Sequence, residues 1–239
     1  MRVWICLPTY NERENLEPMV RALGDVLDEE ARVLVIDDSS PDGTGEVADA
    51  LAEELELVEV LHRERKEGLG PAYLAGFQRA LGAGAELVIE MDCDFSHDPA
   101  DVPRLVAAVQ EGADVALGSR YVDGGETRNW GFVRRSVSRT GALYARALLG
   151  LPVQDPTSGF KCYRRAVLER IDLHRIASKG YAFQIETVYR AVRAGFRVAE
   201  IPITFSERER GGSKMSHTIV FEAVWRVPAL RLRAVLGRL

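Results

Sequence analysis

The sequence predicts an α/β fold, a mainly parallel sheet flanked by helices and followed by a C-terminal amphipathic helical segment. Three observations predict it. Short runs rich in Val, Ile and Leu alternate along the chain with stretches of helical period. Those runs are continuously apolar, as in strands covered on both faces, rather than apolar at every second position. The 239 residues, 46% hydrophobic and 28% charged, contain no Pro-, Gly- or Ser-rich linker, so one large domain with an appendage is the simplest organisation.

VWICLP (3–8) opens as a buried strand. ENLEPMVRALGDVL (14–27) follows as a helix, and Asn11 with Glu14 three residues on has the spacing of a capping box. RVLVIDD (32–38) is the second strand, the turn SPDG (40–43) leads into the helix GEVADALAEEL (45–55), and LVEVLHR (57–63) is the third strand. PAYLAGFQRAL (71–81) is helical and ELVIEMD (86–92) extended; Asp98 before Pro99 then supplies a cap and an N1 proline for the next helix. After ADVALGSRYV (113–122) the alternation loosens. A glycine-rich loop (124–131) precedes a basic helix, RRSVSRTGALYARALLG (134–150), then QDPTSGFKCYRRAVLERI (154–171), a helix around FQIETVYRAVRAG (183–195) and an extended VAEIPITFSE (198–207). The last stretch, HTIVFEAVWRVPALRLRAVLGRL (217–239), is apolar and helical in pattern, and Pro228 is expected to kink or break it.

The formal net charge of -5 argues against a general nucleic-acid binder. From Arg208 onward, seven Lys or Arg against two Glu leave about +5, and the remainder carries about -10, so the basic end suits an anionic surface. Cys6, Cys93 and Cys162 are odd in number and far apart, with neither a disulfide framework nor zinc-type spacing, which fits a reducing compartment. The N-terminus reaches Pro8 and Asn11 too soon for a signal peptide, and no window supplies about 18 consecutive apolar residues, so membrane contact is expected to be peripheral.

In parallel α/β sheets, ligands bind beyond the carboxyl ends of the strands. Three apolar strands end there in polar groups: Pro8 to Glu12, Asp37-Asp38-Ser39, and Asp92-Cys93-Asp94. An aspartate after a strand also serves as turn former or cap, and for Asp37 and Asp38 that reading stands equally. Asp92 and Asp94 begin no helix, because Asp98 does that, and Cys93 between them points to the other side if the strand persists. Two carboxylates on one side of a strand end repel unless a cation or shared proton intervenes. Mg²⁺ or Mn²⁺ would resolve that cost and would take substrate phosphates as further ligands, which predicts a diphosphate. Zinc would need two more soft ligands beside Cys93 and His97, and none is near in sequence.

Arg120, Arg134, Arg135, Arg208, Arg210 and Lys214 form the complementary set. Each alone reads as solvated surface charge; together they suggest an anion-binding wall. GLGPAYLAG (68–76) lacks GxGxxG and follows the third strand, so it reads as a turn with close packing, and no GxSxG elbow, P-loop or HExxH is present.

LPTYNERENL, VIDDSSPDGT, GLGPAYLAGF, MDCDFSHDP, GSRY, SRTGALYAR, DPTSGFKCYRR, SKGYAFQIE and EIPITFSERERGGSKM, in this order, resemble the dolichol- and polyprenol-phosphate mannose synthases, inverting family 2 glycosyltransferases with a GT-A, Rossmann-like fold. The resemblance runs to about Met215 and implies a catalytic domain over 1–215 with an interfacial helical segment over 216–239. It implies transfer of mannose from GDP-mannose to a polyprenyl or dolichyl phosphate with anomeric inversion, and a divalent metal, Mg²⁺ or Mn²⁺, on the diphosphate. By motif, Pro8, Tyr10, Glu12, Ile36 and Asp38 would hold the nucleotide, and Asp92, Cys93 and Asp94 the diphosphate and metal. Arg120, Arg134, Ser138, Arg208 and Lys214 would surround the phosphates of donor and acceptor. Cys93 stands where Ala is usual, and Ser96 where some relatives carry a metal-ligating Gln, which makes Ser96 the candidate third ligand. An acceptor that is already a phosphate anion needs positioning and charge neutralisation more than a general base, which accounts for the absence of a His or Ser dyad.

Many relatives continue into transmembrane helices, whereas here Ile219, Phe221, Val224, Trp225, Leu230, Leu232, Val235 and Leu236 interleave with Arg226, Arg231, Arg233 and Arg238. That mixture suits a helix lying in a headgroup layer on the cytoplasmic face of a membrane; packing on the domain or on a membrane-anchoring partner protein is the equal alternative. The competing functions are a UDP-sugar-dependent glucosyl- or N-acetylhexosaminyltransferase on the same fold, a phospho-accepting receiver module built on VLVIDD, and an inactive nucleotide-sugar binder. The receiver would leave the DCD site and the basic second half without a role.

Overall fold

In the computed structural model, which describes residues 1–176, 178, 180–207 and 217–237, alternate residues of each central strand enter different cores. In strand β1 (Val3–Thr9), Val3, Ile5 and Leu7 join one cluster while Trp4 and Cys6 join a second. Strand β2 (Arg32–Asp37) splits likewise into Val33 and Val35 against Leu34 and Ile36. The continuous apolar runs are thus two interleaved faces, each needing its own cover.

The first face is covered by α1 (Arg13–Gly24), α2 (Thr44–Glu54) and α4 (Val102–Gln110), which bury Leu16, Met19, Leu51 and Leu105 there. The second is covered by α3 (Leu69–Gly82), α6 (Arg165–Arg170) and α7 (Gly180–Arg193) through Tyr73, Phe77, Val167 and Phe183. Gly76 lets α3 lie close, since a Cβ there would run into the Ile36 side chain. Close packing is therefore the role of the glycines in GLGPAYLAG at this position.

With β3 (Val58–His62), β4 (Leu87–Glu90), β5 (Val115–Ser119), β7 (Lys161–Arg164) and β8 (Val198–Pro202), the described residues form a seven-stranded sheet in the order β3-β2-β1-β4-β7-β5-β8. Strand β7 runs antiparallel to β4 and β5, pairing Val88 with Tyr163 and Ala116 with Cys162; the other pairs are parallel. Two short strands, β6 (Glu126–Thr127) and β9 (Thr204–Phe205), pair beside it.

A third cluster joins α5 (Phe132–Leu149), α7 and α8 (His217–Val235) through Ala145, Leu149, Val188, Tyr189, Val227 and Leu230. Two expectations are corrected here. Of the kink or break expected at Pro228, the break is absent, since α8 runs as one helix through it. The missing N–H costs one backbone bond, and burial of Val227 and Leu230 on either side outweighs it. Nor do Asn11 and Glu14 form a capping box. Asn11 takes a left-handed φ of 56°, and Glu12 is the residue before α1, with its N–H donating to Thr44 Oγ1 at 3.0 Å. The Asp98 cap forms as expected, accepting from the Ala100 N–H at 2.9 Å.

Candidate active site

The strand order reverses between β1 and β4, because the chain leaves β1 toward β2 and β3 on one side and returns as β4 on the other. Loops diverging from such a switch leave a crevice at the carboxyl ends. A cleft of about 390 Å³ opens there. Pro8, Tyr10 and Glu12 from the end of β1, Asp38 after β2, and Asp92, Cys93, Asp94 and Ser96 after β4 line it, together with Arg120, Arg134, Tyr181, Gln184 and Phe205.

Strand β4 stops at Glu90, so the two aspartates sit on a bend, closed by a left-handed Phe95 with φ of 57°. Cys93 is packed in the first core and also borders the cleft; the strand on which its alternation with the aspartates was expected has already ended. Asp94 is held from below: its Oδ1 accepts from Ser96 Oγ at 2.5 Å and from the Ser96 N–H at 3.0 Å. Ser96 therefore orients a carboxylate. Asp92 Oδ1 accepts from the Tyr73 hydroxyl at 3.2 Å, which ties the pair to α3.

The basic wall has structure of its own. Arg120 is buried in a two-pronged contact with Asp155, Nε to Oδ2 and Nη2 to Oδ1 each at 2.7 Å, and Nη2 also donates to Thr157 Oγ1 at 2.8 Å. Burial alone would raise the Asp155 carboxyl, but Arg120 beside it carries it below its ordinary range. Burial likewise lowers Arg120, and Asp155 more than reverses that. Arg134 lies over the Trp130 ring at 4.3 Å and donates from Nη1 to Glu207 at 2.7 Å. Lys66 sits 3.5 Å over the ring of Tyr10 and brings a further cation to the cleft.

Other expected residues have additional partners or lie elsewhere. The Asp38 carboxylate is occupied by the Arg63 guanidinium and the N–H groups of Glu67 and Gly68, at 3.1 and 3.2 Å, so it shapes the loop before α3 as well as lining the cleft. Asp37 closes the turn after β2, accepting from Ser40 Oγ at 2.5 Å. The Ile36 side chain is fully buried in the second core, outside the cleft lining. Ser138 accepts from the Tyr121 hydroxyl at 2.7 Å and is likewise outside the lining. Arg208, Arg210 and Lys214 fall outside the described residues.

Beneath the cleft lies a buried polar chain. The Lys161 ammonium pairs with Glu90, both fully buried, and donates to Gln184 Oε1 at 2.5 Å. Burial raises the Glu90 carboxyl and lowers the Lys161 amine, each opposed by the partner. His97 is wedged between Phe160 and Phe205, with centroids 5.0 Å from each and neither ring nitrogen hydrogen-bonded, and burial pulls its pKa down to about 4.

The pattern of Glycosyl transferase family 2 matches residues 4–172, which include the ends of β1, β2 and β4 on the cleft but not Tyr181, Gln184 or Phe205. The chain belongs to that family. This glycosyltransferase is 49% identical over 99% of its length, and 89% of the relative's, to the polyprenol monophosphomannose synthase of Mycolicibacterium smegmatis. It is 50% identical to the undecaprenyl-phosphate mannosyltransferase of Micrococcus luteus, over 98% of this chain and 96% of that one. Among solved structures, glucosyl-3-phosphoglycerate synthase from Mycobacterium tuberculosis, in complex with Mn²⁺, UDP-glucose and phosphoglyceric acid, shares the fold with a TM-score of 0.71 at 20% identity, covering 96% of this chain and 79% of that one.

The donor set of this glycosyltransferase fits a hard divalent ion. Asp92 and Asp94 line the cleft, Cys93 is almost fully buried between them, and no group of three His, Cys, Asp or Glu able to hold a metal occurs among the described residues. Two carboxylates with substrate phosphates and water completing the shell is the pattern that Mg²⁺ and Mn²⁺ accept. The sequence reading missed Lys66, Tyr73, Asp155, Thr157 and Gln184 as parts of the site. Gln184 had a signal, a polar residue interrupting the apolar side of a helix, and Asp155 another, an acid in DPTSG with no helix to cap.

Proposed function

We propose that the chain transfers mannose from GDP-mannose to the phosphate of a polyprenol or dolichol carrier, inverting the anomeric carbon. The observation that carries this is that Asp92 and Asp94 line the same cleft as Arg134 and Lys66, which brings an acidic site for a metal-bound diphosphate together with cations for a second phosphate. The names of the full-length relatives, a polyprenol monophosphomannose synthase and an undecaprenyl-phosphate mannosyltransferase, support mannose and the lipid acceptor.

An oxygen of the acceptor phosphate forms the new bond to the anomeric carbon while the bond to the GDP oxygen breaks, and the electron pair leaves on the diphosphate. The attacking oxygen is already anionic, so the work left to the protein is alignment and charge compensation. Arg134, stacked on Trp130, holds the acceptor phosphate. Arg120, locked by Asp155 into a neutralised pair, fixes the shape of the same lining. Tyr10 and Glu12 flank the nucleotide. Mg²⁺ or Mn²⁺ on Asp92 and Asp94 would neutralise the departing diphosphate.

No described helix is long and apolar enough to cross a membrane. Residues 1–215 act as the catalytic domain, and 216–239 with the start of α5 as its contact with the cytoplasmic membrane face. Phe132 and Val133, 82% and 73% exposed, stand beside Arg134, and Trp225 on α8 is 77% exposed. Apolar side chains rimmed by arginine suit an anionic headgroup layer. Loss of flotation with anionic liposomes on removing residues 217–239 is expected; unchanged flotation would overturn this contact, and flotation that needs a second protein would assign the surface to a membrane-anchoring partner.

The test of the reaction is transfer of labelled sugar from GDP-mannose, and in parallel from UDP-glucose, to polyprenyl phosphate in detergent, with Mg²⁺ or a chelator. Metal-dependent mannolipid is expected. Glucolipid alone would overturn the donor, and product insensitive to chelator would overturn the metal.

A further inference from the structure

Gln184 is 2% exposed, and its side chain has one orientation only. The Lys161 ammonium can donate and cannot accept, so the amide atom it contacts at 2.5 Å is the oxygen. The amide nitrogen must then face away from the buried ion pair, toward the cleft that Gln184 lines. That nitrogen is buried and has no hydrogen-bond partner. Gly159 leaves the space in front of it: a Cβ there would lie 3.3 Å from Gln184 Nε2 and 3.8 Å from Asp92 Oδ2. Glycine at 159 therefore keeps a side chain out from between an amide donor and a carboxylate oxygen.

A buried donor without an acceptor costs about 1–3 kcal/mol, which a ligand oxygen placed there would relieve. The chemistry of the two walls selects the ligand group. A phosphate oxygen can accept from the amide but carries no proton to donate to the carboxylate, so it uses only one of the two walls. A neutral hydroxyl can accept from Nε2 and donate to Asp92 together. We propose that Gln184 hydrogen-bonds a hydroxyl of the donor sugar, so that the Lys161–Gln184 chain and Gly159 together form the sugar-selecting pocket. This rests on the reading of the substrate as a nucleotide sugar, and goes beyond it by naming the residue that senses the sugar.

The test is calorimetric titration of the full chain with Mn²⁺, using GDP, GDP-mannose and its mono-deoxy analogues, and in parallel UDP and UDP-glucose, for the wild type and Gln184→Glu. Glutamate keeps an acceptor for Lys161 and removes the donor. GDP affinity is expected to hold while GDP-mannose weakens by about 10- to 100-fold. One deoxy analogue should bind the wild type correspondingly weakly and lose nothing further in the variant. Equal losses for GDP and GDP-mannose would overturn the proposal, because they would place Gln184 at the diphosphate or in the fold. Should Gln184→Glu melt early, the wild-type series decides alone: analogues that all bind like GDP-mannose refute the contact. If sugar tightens binding only in the UDP series, mannose is wrong, and the variant must then weaken UDP-glucose while sparing UDP, or this proposal fails too.

Discussion

Asp155→Ala tests the least exposed charge pair of the site's basic wall. Asp155 is fully buried, and the Arg120 side chain is 4% exposed, so water can neither screen the pair nor replace the lost partner. The substitution removes both side-chain bonds at 2.7 Å and the contact from the Arg120 N–H at 3.1 Å, leaving a guanidinium buried against Trp130 and Phe205. Breaking one side of a buried pair costs about 3–5 kcal/mol, and at about 2–4 °C per kcal/mol for a chain of this size the midpoint should fall by about 6–20 °C. Urea unfolding and scanning calorimetry measure both quantities, and Asp155→Asn, which keeps an acceptor but loses the charge, should fall between. A loss below about 1 kcal/mol, the range of exposed pairs, would refute the reasoning by showing that the guanidinium finds water. The pH dependence has a definite sign. A carboxyl depressed in the native state contributes stability that is present above its unfolded pKa of about 3.9 and is lost as pH falls through the native value. The advantage of the wild type over Asp155→Asn should therefore hold at neutral pH and shrink below about pH 4.

Asp94→Ala should nearly abolish lipid-linked sugar formation with the melting temperature preserved, since it removes a metal-facing carboxylate and relieves like-charge repulsion; retained turnover in the detergent assay would contradict the metal assignment. Arg134→Ala should raise KM for polyprenyl phosphate by about 10-fold, the scale of one charge-assisted bond, with GDP affinity unchanged in titration; an effect confined to GDP would reverse that role. Gly76→Val should destabilise by about 1–3 kcal/mol in urea unfolding, because the added carbons meet Ile36 and, from a Cβ 3.1 Å away, the Cys6 sulfur, and this outweighs a helix-propensity gain below about 1 kcal/mol.

The sheet was legible because each central strand serves two cores at once, and a strand apolar on both faces can hardly be anything but an inner parallel strand. Asp98 with Pro99 was legible because a cap and an N1 proline act within one turn. The capping box failed for the opposite reason: Asn11 and Glu14 have the spacing, but Glu12 is drawn to Thr44 thirty-two residues away. The break at Pro228 failed because the packing of α8 on α5 and α7 is not a property of its own sequence. Antiparallel β7 was invisible, since four residues of KCYR state nothing about direction until they find their neighbours.

The same division runs through the site. The sequence by itself determined the acidic pair, the three strand ends that approach each other, and the excess of arginine in the second half, because strand order in an α/β chain constrains which loops can meet. Tertiary structure alone decided what those groups are free to do. It turned Ser96 under Asp94, spent Asp38 on Arg63 and the loop before α3, locked Arg120 to Asp155, sank Ile36 into the core, and aimed the Gln184 amide by seating its oxygen on Lys161. Hydrogen-bond partners far apart along the chain are chosen by packing, and a polar side chain's role follows from the partner it has been given.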